Sequence, residues 1–380
     1  MNENEYSNLL HYLLEYSDII IGILFGVLAI FFHKSHLIHY STIAAAISIG
    51  ALSMTVAEIA EILAERLEEP YASFVLTFSA VAVEIILLYM IILEGGHSAL
   101  ETAKGGIISA VIVDMNVLLG LAVFIGGLSY KEQEHNEDTS STYTTILLVA
   151  SSALLVPGII TYTDNDQKLY EASIMISIVL IIFYISIFIF QTKTHSHFFK
   201  AKAKSRLFRL KKRIKIDNEE EEEDYIFDKL PTWANFLSIF ILILFIGILA
   251  EMFATDGMVI AKEFGISTGL AGLIIAIIAV SPEILTAIKA AREDEIQRVV
   301  NIAMGASTVT IMLTVPLLMA MAYFNGIKFT LDFNAFQIGA LILTIILAWK
   351  TTDEGETNYF EGISHLMFFA SYAIIATLYK

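Results

Sequence analysis

Long apolar runs constrain the fold of this chain more than any other feature of its sequence. An α-helix needs roughly 20 mostly apolar residues to cross the hydrocarbon core of a bilayer. Eleven runs approach that length, near residues 17–33, 38–60, 70–93, 105–129, 143–162, 170–190, 232–253, 265–288, 296–324, 334–349 and 359–379. The hydrophobic fraction of 56% exceeds the roughly 45–50% of a soluble domain on a similar count. We therefore predict an all-α integral membrane protein with about 11 transmembrane helices.

Charge and composition exclude several classes of function. The net charge of −17 argues against nucleic-acid binding, because that requires a basic surface. The chain has no Cys, so it forms no disulfide, thiolate metal site or thiol nucleophile. A His-Glu-x-x-His pair and a Walker loop are also absent from the sequence, which argues against a zinc protease and an ATP-driven pump of that type. The first eighteen residues carry four carboxylates and no Lys or Arg, so we expect the first run to be a retained helix rather than a signal peptide.

A highly charged segment at 191–231 divides the apolar runs into a group of six and a group of five. We predict an N-terminal membrane half over 1–190, a linker over 191–231 and a C-terminal membrane half over 232–380. The linker holds eleven of the 23 Lys and Arg residues, and an acidic run follows its basic part. Since Lys and Arg accumulate on the cytoplasmic side, we expect the linker and the N-terminus to be cytoplasmic. A solvated linker is typical of such charge runs, and a cation-sensing or lipid-contacting loop is the alternative.

Two carboxylates inside the apolar runs are the strongest candidates for chemistry. Glu84 lies in the third run and Glu283 in the eighth, each near the middle of its run. An ionised side chain at that depth is costly, so such residues mark ion or proton pathways by default. Pro282 lacks a backbone N–H, so we expect the helix to open there and to free carbonyl oxygens beside Glu283. The alternative is that a neighbouring helix simply holds each carboxylate.

The two carboxylates occupy equivalent places in the chain. Their helices are five runs apart and therefore cross the bilayer in opposite directions. The next run after each is rich in small and polar residues, which let helices approach closely. The sequence therefore predicts two inverted-topology five-helix repeats plus one extra helix, with one glutamate from each repeat at the membrane midplane.

Further polar residues in these runs are candidate ligands for a cation or a proton. Asp114 is a candidate third carboxylate or proton site, with a helix–helix contact as the alternative. For Ser and Thr, the competing interpretation is a hydrogen bond to a backbone carbonyl one turn back. The predicted metal ligands are Glu84 and Glu283. The whole cation- and proton-binding set comprises Glu84, Glu283, Asp114, Asn116, Ser79, Ser281, Ser307 and Thr310.

Several short motifs form a set that extends from about residue 40 to residue 375. They are Ala64–Ser73 ahead of the first glutamate helix, Gln191–His195 with the acidic run after it, Ser281-Pro282-Glu283, Gln297-Arg298, Asn301 and Leu313–Pro316. As a set they resemble the calcium/cation antiporter superfamily, and more closely its bacterial ChaA-type cation/proton antiporters. Two departures concern the cation site. Ala80–Val83 stands where the superfamily often has Gly-Asn, and Asp114 stands where it often has Asn.

The resemblance implies a secondary active antiporter of the cell (inner) membrane, which exchanges calcium, and/or sodium and potassium, for protons. It implies alternating access around the two intramembrane glutamates and no permanently bound cofactor. The expected partners are the transported cation (calcium, sodium or potassium), protons and the lipid bilayer, with a homo-oligomer as a further option and no nucleic acid. A cation channel and an intramembrane enzyme are the alternatives. A channel needs a continuous pore, whereas two carboxylates on inverted repeats favour an occluded site.

The predicted orientation can be tested with a single cysteine, because the chain contains none of its own. With the 191–231 segment inside, the Asn218→Cys protein should react with a membrane-impermeant thiol reagent only from the cytoplasmic face. Labelling of intact cells and of inverted vesicles measures this directly. Labelling of intact cells would reverse the topology.

Overall fold

The computed structural model describes residues 16–67, 71–160, 166–195 and 225–378, and these are almost entirely helical. The helices are α1 Ser17–Lys34, α2 Ile38–Arg66, α3 Tyr71–Glu94, α4 Gly96–Tyr130, α5 Glu137–Ile160, α6 Asp166–Thr194, the short α7 Ile226–Lys229, α8 Thr232–Glu263, α9 Thr268–Arg292, α10 Ile296–Phe324, α11 Ala335–Thr352 and α12 Tyr359–Leu378. Two three-residue strands, β1 Glu132–Glu134 and β2 Glu356–Asn358, pair antiparallel. Every predicted span coincides with one of these helices.

The number of membrane crossings agrees with the prediction. Ten helices of the described part are long and apolar enough to cross a membrane, and α3 covers the remaining predicted span. The guanidinium of Arg66, at the end of α2, donates to the carbonyl oxygens of Phe227 and Leu230, just before α8. These two helix ends therefore lie on the same side of the membrane, which requires an even number of crossings between them. Because α4, α5 and α6 supply three, α3 must supply the fourth.

Two helices extend well beyond their predicted ends. Helix α4 begins at Gly96 instead of near 105, and α8 ends at Glu263 instead of near 253. Apolar character falls where charged residues enter these helices, but the charges are paired. Asp256 is 4% exposed and its Oδ2 lies 2.9 Å from Nδ1 of His33, so α8 continues past it. Hydropathy marks the apolar part of each helix rather than its hydrogen-bonded length.

The helices group into two compact units. The first consists of Met1–Met90 with Glu221–Gly265, and the second of Ile91–Glu220 with Ile266–Lys380. The predicted division into halves 1–190 and 232–380 concerns chain order and stays a prediction. Most of the predicted linker 191–231, namely residues 196–224, lies outside the described residues.

In the first unit, α1, α2 and α8 pack together. Glycines of α1 make this packing close. A Cβ at Gly22 would lie 2.5 Å from Cδ2 of Leu52 on α2, and a Cβ at Gly26 would lie 2.7 Å from Cζ of Phe245 on α8. The outer face of α1 carries exposed apolar side chains suited to lipid contact, among them Ile20, Leu24, Val27 and Phe31.

In the second unit, α4 is the most deeply buried helix and packs against α9 and α12. A Cβ at Gly272 of α9 would overlap the backbone of Gly105 and Gly106 on α4. Further along α4, a Cβ at Gly362 of α12 would overlap the backbone of Phe124. Small residues therefore let α9, which carries Glu283, and α12 approach α4 almost backbone to backbone.

Helices α4 and α10 contain π-helical segments, Val113–Leu118 and Thr310–Thr314. These two helices hold the same place in the two repeats, since each is the third helix of its set, α2–α6 or α8–α12. Single-turn π segments inside α-helices occur frequently at functional sites. The two repeats therefore share an irregularity as well as a hydropathy pattern, and the irregular turns contain Asp114 and Thr310.

Candidate functional site

Glu84 lies deep within α3 of the first unit and is 7% exposed. It follows Tyr71 by 13 residues and precedes Glu94 by 10, which corresponds to about 20 Å and about 15 Å along the helix axis. The side chain therefore lies near the middle of α3, far from both ends of the helix. Ser79 is also buried, but five residues turn it roughly 140° around the helix axis from Glu84. The two side chains do not share one face of α3.

Glu283 holds the corresponding position in α9 of the second unit. It follows Thr268 by 15 residues and precedes Arg292 by 9, about 22 Å and about 13 Å along the axis. Its side chain is partly buried. In each repeat, therefore, the second helix places a carboxylate far from both of its ends.

The expectation that α9 opens at Pro282 is wrong, because the helix is continuous from Thr268 to Arg292. Proline removes the backbone donor that would reach the carbonyl of Ile278, four residues earlier. The hydroxyl of Ser281 donates to that carbonyl at 2.8 Å. Ser281 therefore replaces the missing backbone hydrogen bond. This agrees with the alternative to a cation ligand, in which a Ser or Thr side chain bonds to a nearby backbone carbonyl. Because the hydroxyl donates its only hydrogen there, both lone pairs of its oxygen remain able to accept from another partner.

Asp114 and Ser307 meet in the second unit. Asp114 is 1% exposed within the π segment of α4, and Oγ of Ser307 on α10 donates to its Oδ2 at 3.1 Å. Thr310, three residues after Ser307, begins the π segment of α10 and is also buried. The structure thus brings Asp114 and Ser307 into direct contact, with Thr310 about one turn further along α10.

Asp114 and Glu283 also lie at similar depths. Spans four and eight are four crossings apart, so α4 and α9 run in the same direction, and they cross where Gly272 meets Gly106. Asp114 lies 8 residues and Glu283 lies 11 residues beyond that crossing, about 12 Å and about 16 Å. In keeping with this, α9 packs against the π segment of α4.

Asn116 joins a buried polar network that the sequence did not reveal. Its amide nitrogen donates to the carbonyl of Ile112 at 3.1 Å and to Oγ1 of Thr344 at 3.0 Å. Its Oδ1 lies 3.0 Å from Nδ1 of His365, and Nε2 of His365 lies 3.0 Å from Oγ1 of Thr351. In the sequence, this network was visible only as a histidine and two threonines within apolar spans. The packing of α11 and α12 is needed to show that these side chains meet around Asn116.

Ion pairs hold the N-terminal part of α4. Lys104, 3% exposed, forms an ion pair with Glu101 and lies 3.0 Å from Oδ1 of Asp332 in the α10–α11 connection. Burial of Asp332 disfavours its ionised form. Hydrogen bonds from Thr330 and Lys104, with the charge of that lysine, outweigh this effect and hold the Asp332 pKa below its ordinary value.

Residues Gly265–Gly269 match the Gly-x-Ser-x-Gly pattern of a serine hydrolase. Ser267 does not lie on a strand-to-helix turn here, because it caps the N-terminus of α9. Its Oγ accepts from the backbone N–H of Leu270 at 3.1 Å and donates to the carbonyl of Ala376. The motif therefore serves helix capping and the contact between α9 and α12.

The described residues contain no group of three His, Asp or Glu side chains arranged to hold a metal ion. The predicted ligands supply carboxylate, hydroxyl and amide oxygens, which suit hard cations such as calcium. Carboxylates can also accept a proton. The chemistry of these side chains is therefore compatible with a hard cation, and that of the carboxylates with a proton as well.

Comparisons with known proteins point to one family. The model of the sodium/calcium exchanger protein family matches residues 33–193 and 234–378, more than half of the chain. A Ca2+/H+ antiporter of Synechocystis sp. is 24% identical over 299 residues, 78% of each chain. The sodium-potassium/proton antiporter ChaA of Escherichia coli is 24% identical over 331 residues, 85% of this chain and 86% of that one. The solved structure of native YfkE has the same fold, with a TM-score of 0.78 at 20% identity, covering 95% of this chain and 99% of that chain.

The role of Ser281 as a backbone substitute can be tested by a double-mutant cycle. Ser281→Ala should destabilise the protein, because an unsatisfied buried carbonyl costs about 1–3 kcal/mol. In a Pro282→Ala background, a backbone N–H is again present to bond to Ile278, so Ser281→Ala should cost little there. Thermal unfolding of the four purified proteins in detergent gives the coupling. Equal losses in both backgrounds would contradict this assignment.

Proposed function

Because the chain belongs to the sodium/calcium exchanger family, we propose that it is a secondary active antiporter that exchanges calcium, or sodium and potassium, for protons. The observation that carries this proposal is the pair of mid-helix carboxylates, Glu84 and Glu283, at the same place in two helix repeats that the family model spans. Relatives named as calcium/proton and sodium-potassium/proton antiporters support it. The resemblance to ChaA-type antiporters drawn from the motifs is confirmed.

We propose that the two glutamates couple the movement of cations to that of protons. An empty, ionised carboxylate is costly at the middle of a membrane. Each glutamate is therefore expected to hold either a proton or part of the coordination shell of a cation. When a cation binds, the protons leave, and when protons bind, the cation leaves. This competition alone is enough to exchange one ion for the other, provided that the site faces one side at a time.

Alternating access would satisfy that last condition. Inverted repeats allow two related arrangements, in which one repeat moves against the other around a site near the midplane. We place the repeats in the predicted halves 1–190 and 232–380, joined by the charged linker. Glycine contacts such as Gly272 on Gly106 present smooth helix surfaces along which such movement can occur.

The choice of cation is proposed to depend on the remaining oxygens. Calcium prefers six to eight oxygen ligands, often from several carboxylates. Asp114 adds a carboxylate at the depth of Glu283, and Ser307 already contacts it. We assign supporting oxygens to the other predicted ligands, which are Ser79, Asn116, Ser281, Ser307 and Thr310.

The function is tested by a panel of cations in proteoliposomes that carry an imposed proton gradient. We expect saturable uptake of calcium, or of sodium and potassium, with proton movement in the opposite direction, read by an internal pH dye. Flux that persists without any proton movement, and that does not saturate, would indicate a channel and overturn the proposal. Empty liposomes provide the baseline.

Glu84→Gln and Glu283→Gln should each abolish coupled exchange, because an amide neither binds a proton near neutral pH nor offers a full negative charge. A matched control lies ten residues after each of the two glutamates. Glu94→Gln on α3 and Glu293→Gln after α9 change exposed carboxylates and should keep at least about half of the parent rate, as expected for surface substitutions. Parent-level exchange by either mid-helix variant would show that the two-carboxylate site is wrong.

Asp114→Asn should weaken calcium exchange more than exchange of sodium or potassium. Coulomb attraction to each carboxylate scales with the charge of the cation, so a divalent ion loses more. The pH profile of transport should also shift, because one group that competes for protons is lost. Rates for both cation classes, measured across pH in the same liposomes, test this. A stable Asp114→Asn protein with the parent's selectivity and pH profile would remove Asp114 from the site.

A further inference from the structure

We propose that His365 is a positioning residue for transport. It holds the side-chain amide of Asn116 in one orientation, and so fixes the π segment of α4 that also carries Asp114. The inference deepens the proposed function and rests on it for its transport readout. Its structural content can be tested without transport.

The contacts form a closed chain in the second unit. Asn116, Thr344 and His365 are 0% exposed and Thr351 is 3% exposed, so water does not compete for their hydrogen bonds. The chain runs from Thr351 on α11 through the His365 ring on α12 to Asn116 on α4, and from there back to Thr344 on α11. Three helices therefore converge on one amide in the irregular turn.

Counting donors determines how these groups are oriented. The backbone carbonyl of Ile112 can only accept, so the atom of Asn116 that faces it at 3.1 Å must be the amide nitrogen. The amide oxygen then faces Nδ1 of His365, which must donate. In the neutral ring Nε2 is therefore the acceptor, and the hydroxyl of Thr351 donates to it. The network thus assigns one tautomer to His365, with the proton on Nδ1.

Glycines at the crossing of α4 and α12 leave space for His365 next to α4. A Cβ at Gly120 would lie 2.8 Å from Cβ of His365, and a Cβ at Gly362 would overlap the backbone of Phe124. Two glycines, one on each helix, therefore permit the close crossing of α4 and α12 that brings the ring to Asn116. A larger residue at either position would move His365 out of hydrogen-bonding distance.

The consequence for the site follows from the position of Asn116. The residue lies two positions after Asp114 in the same π segment, and Asp114 accepts from Ser307 on α10. His365 occupies one lone pair of the Asn116 oxygen and leaves the other free to face a cation. Without a donor at Nδ1, that oxygen would be buried and unsatisfied, so the amide would rotate and the turn would lose its anchor on α12.

The tautomer is measured by nitrogen-15 NMR of the full chain, labelled at histidine and reconstituted in lipid. Comparison with His365→Asn identifies the His365 signals among the nine histidines. We expect a neutral ring with its proton on Nδ1 at neutral pH. A proton on Nε2 would overturn the proposal, whether or not the protein transports any cation.

Two substitutions separate positioning from bulk. Asn in place of His365 puts an amide N–H close to the position of Nδ1, whereas Gln puts its amide near Nε2. His365→Asn should keep transport efficiency, the maximal rate divided by the half-saturating cation concentration, near that of the parent. His365→Gln should lower it about tenfold, the expected effect of one unsatisfied buried acceptor. His97→Gln, at a side chain that is 90% exposed, is the matched control and should not change it.

Stability supplies a second readout that does not need transport. His365→Asn should unfold at a higher temperature than His365→Gln, and the difference should vanish in an Asn116→Ala background, because His365 acts through that amide. Equal behaviour of the Asn and Gln variants in both assays would overturn the proposal. If the parent protein shows no cation/proton exchange, but the NMR and stability results are as expected, only the proposed function is contradicted.

Discussion

The need to satisfy every backbone hydrogen-bonding group inside lipid is the constraint on which the rest of this structure depends. It explains why the described chain is almost entirely helical. It also explains why polar side chains occur where the regular backbone hydrogen bonding of a helix is interrupted. Ser281 donates to the carbonyl that Pro282 leaves without a backbone donor, and Asn116 donates to Ile112 at the start of a π segment. Residues that resemble cation ligands in the sequence therefore also complete the backbone.

Close helix contact is the second requirement, and glycine provides it. Where Gly272 meets Gly106, and where Gly120 meets His365, two helices approach more closely than larger side chains would permit. At the second crossing, the close approach brings the ring of His365 within hydrogen-bonding distance of Asn116. The same smooth surfaces are suited to the relative movement that the proposed alternating access would require.

The candidate site was predictable in part. Mid-membrane carboxylates stand out in any apolar run, so Glu84 and Glu283 could be identified from the sequence, and their mirrored places suggested the repeats. Ser281 and Asn116 were identified as polar residues, but their partners were not. His365 was missed entirely, because a single histidine in an apolar helix has no significance until its neighbours are known. The helix ends at Gly96 and Glu263 were missed for a related reason, since paired charges permit a helix to continue beyond its apolar run.

The sequence by itself determined how many helices cross the membrane and which of them carry a carboxylate at depth. Bilayer thickness sets the length of each apolar run, and the cost of a buried charge makes its position conspicuous. Only the tertiary structure decided where α4 and α8 end, that α9 stays intact at Pro282, and that His365 reaches Asn116. Those outcomes depend on bonds between residues far apart in the chain, 249 positions in the case of Asn116 and His365. Hydropathy is a local property of the chain and contains no information about such pairings.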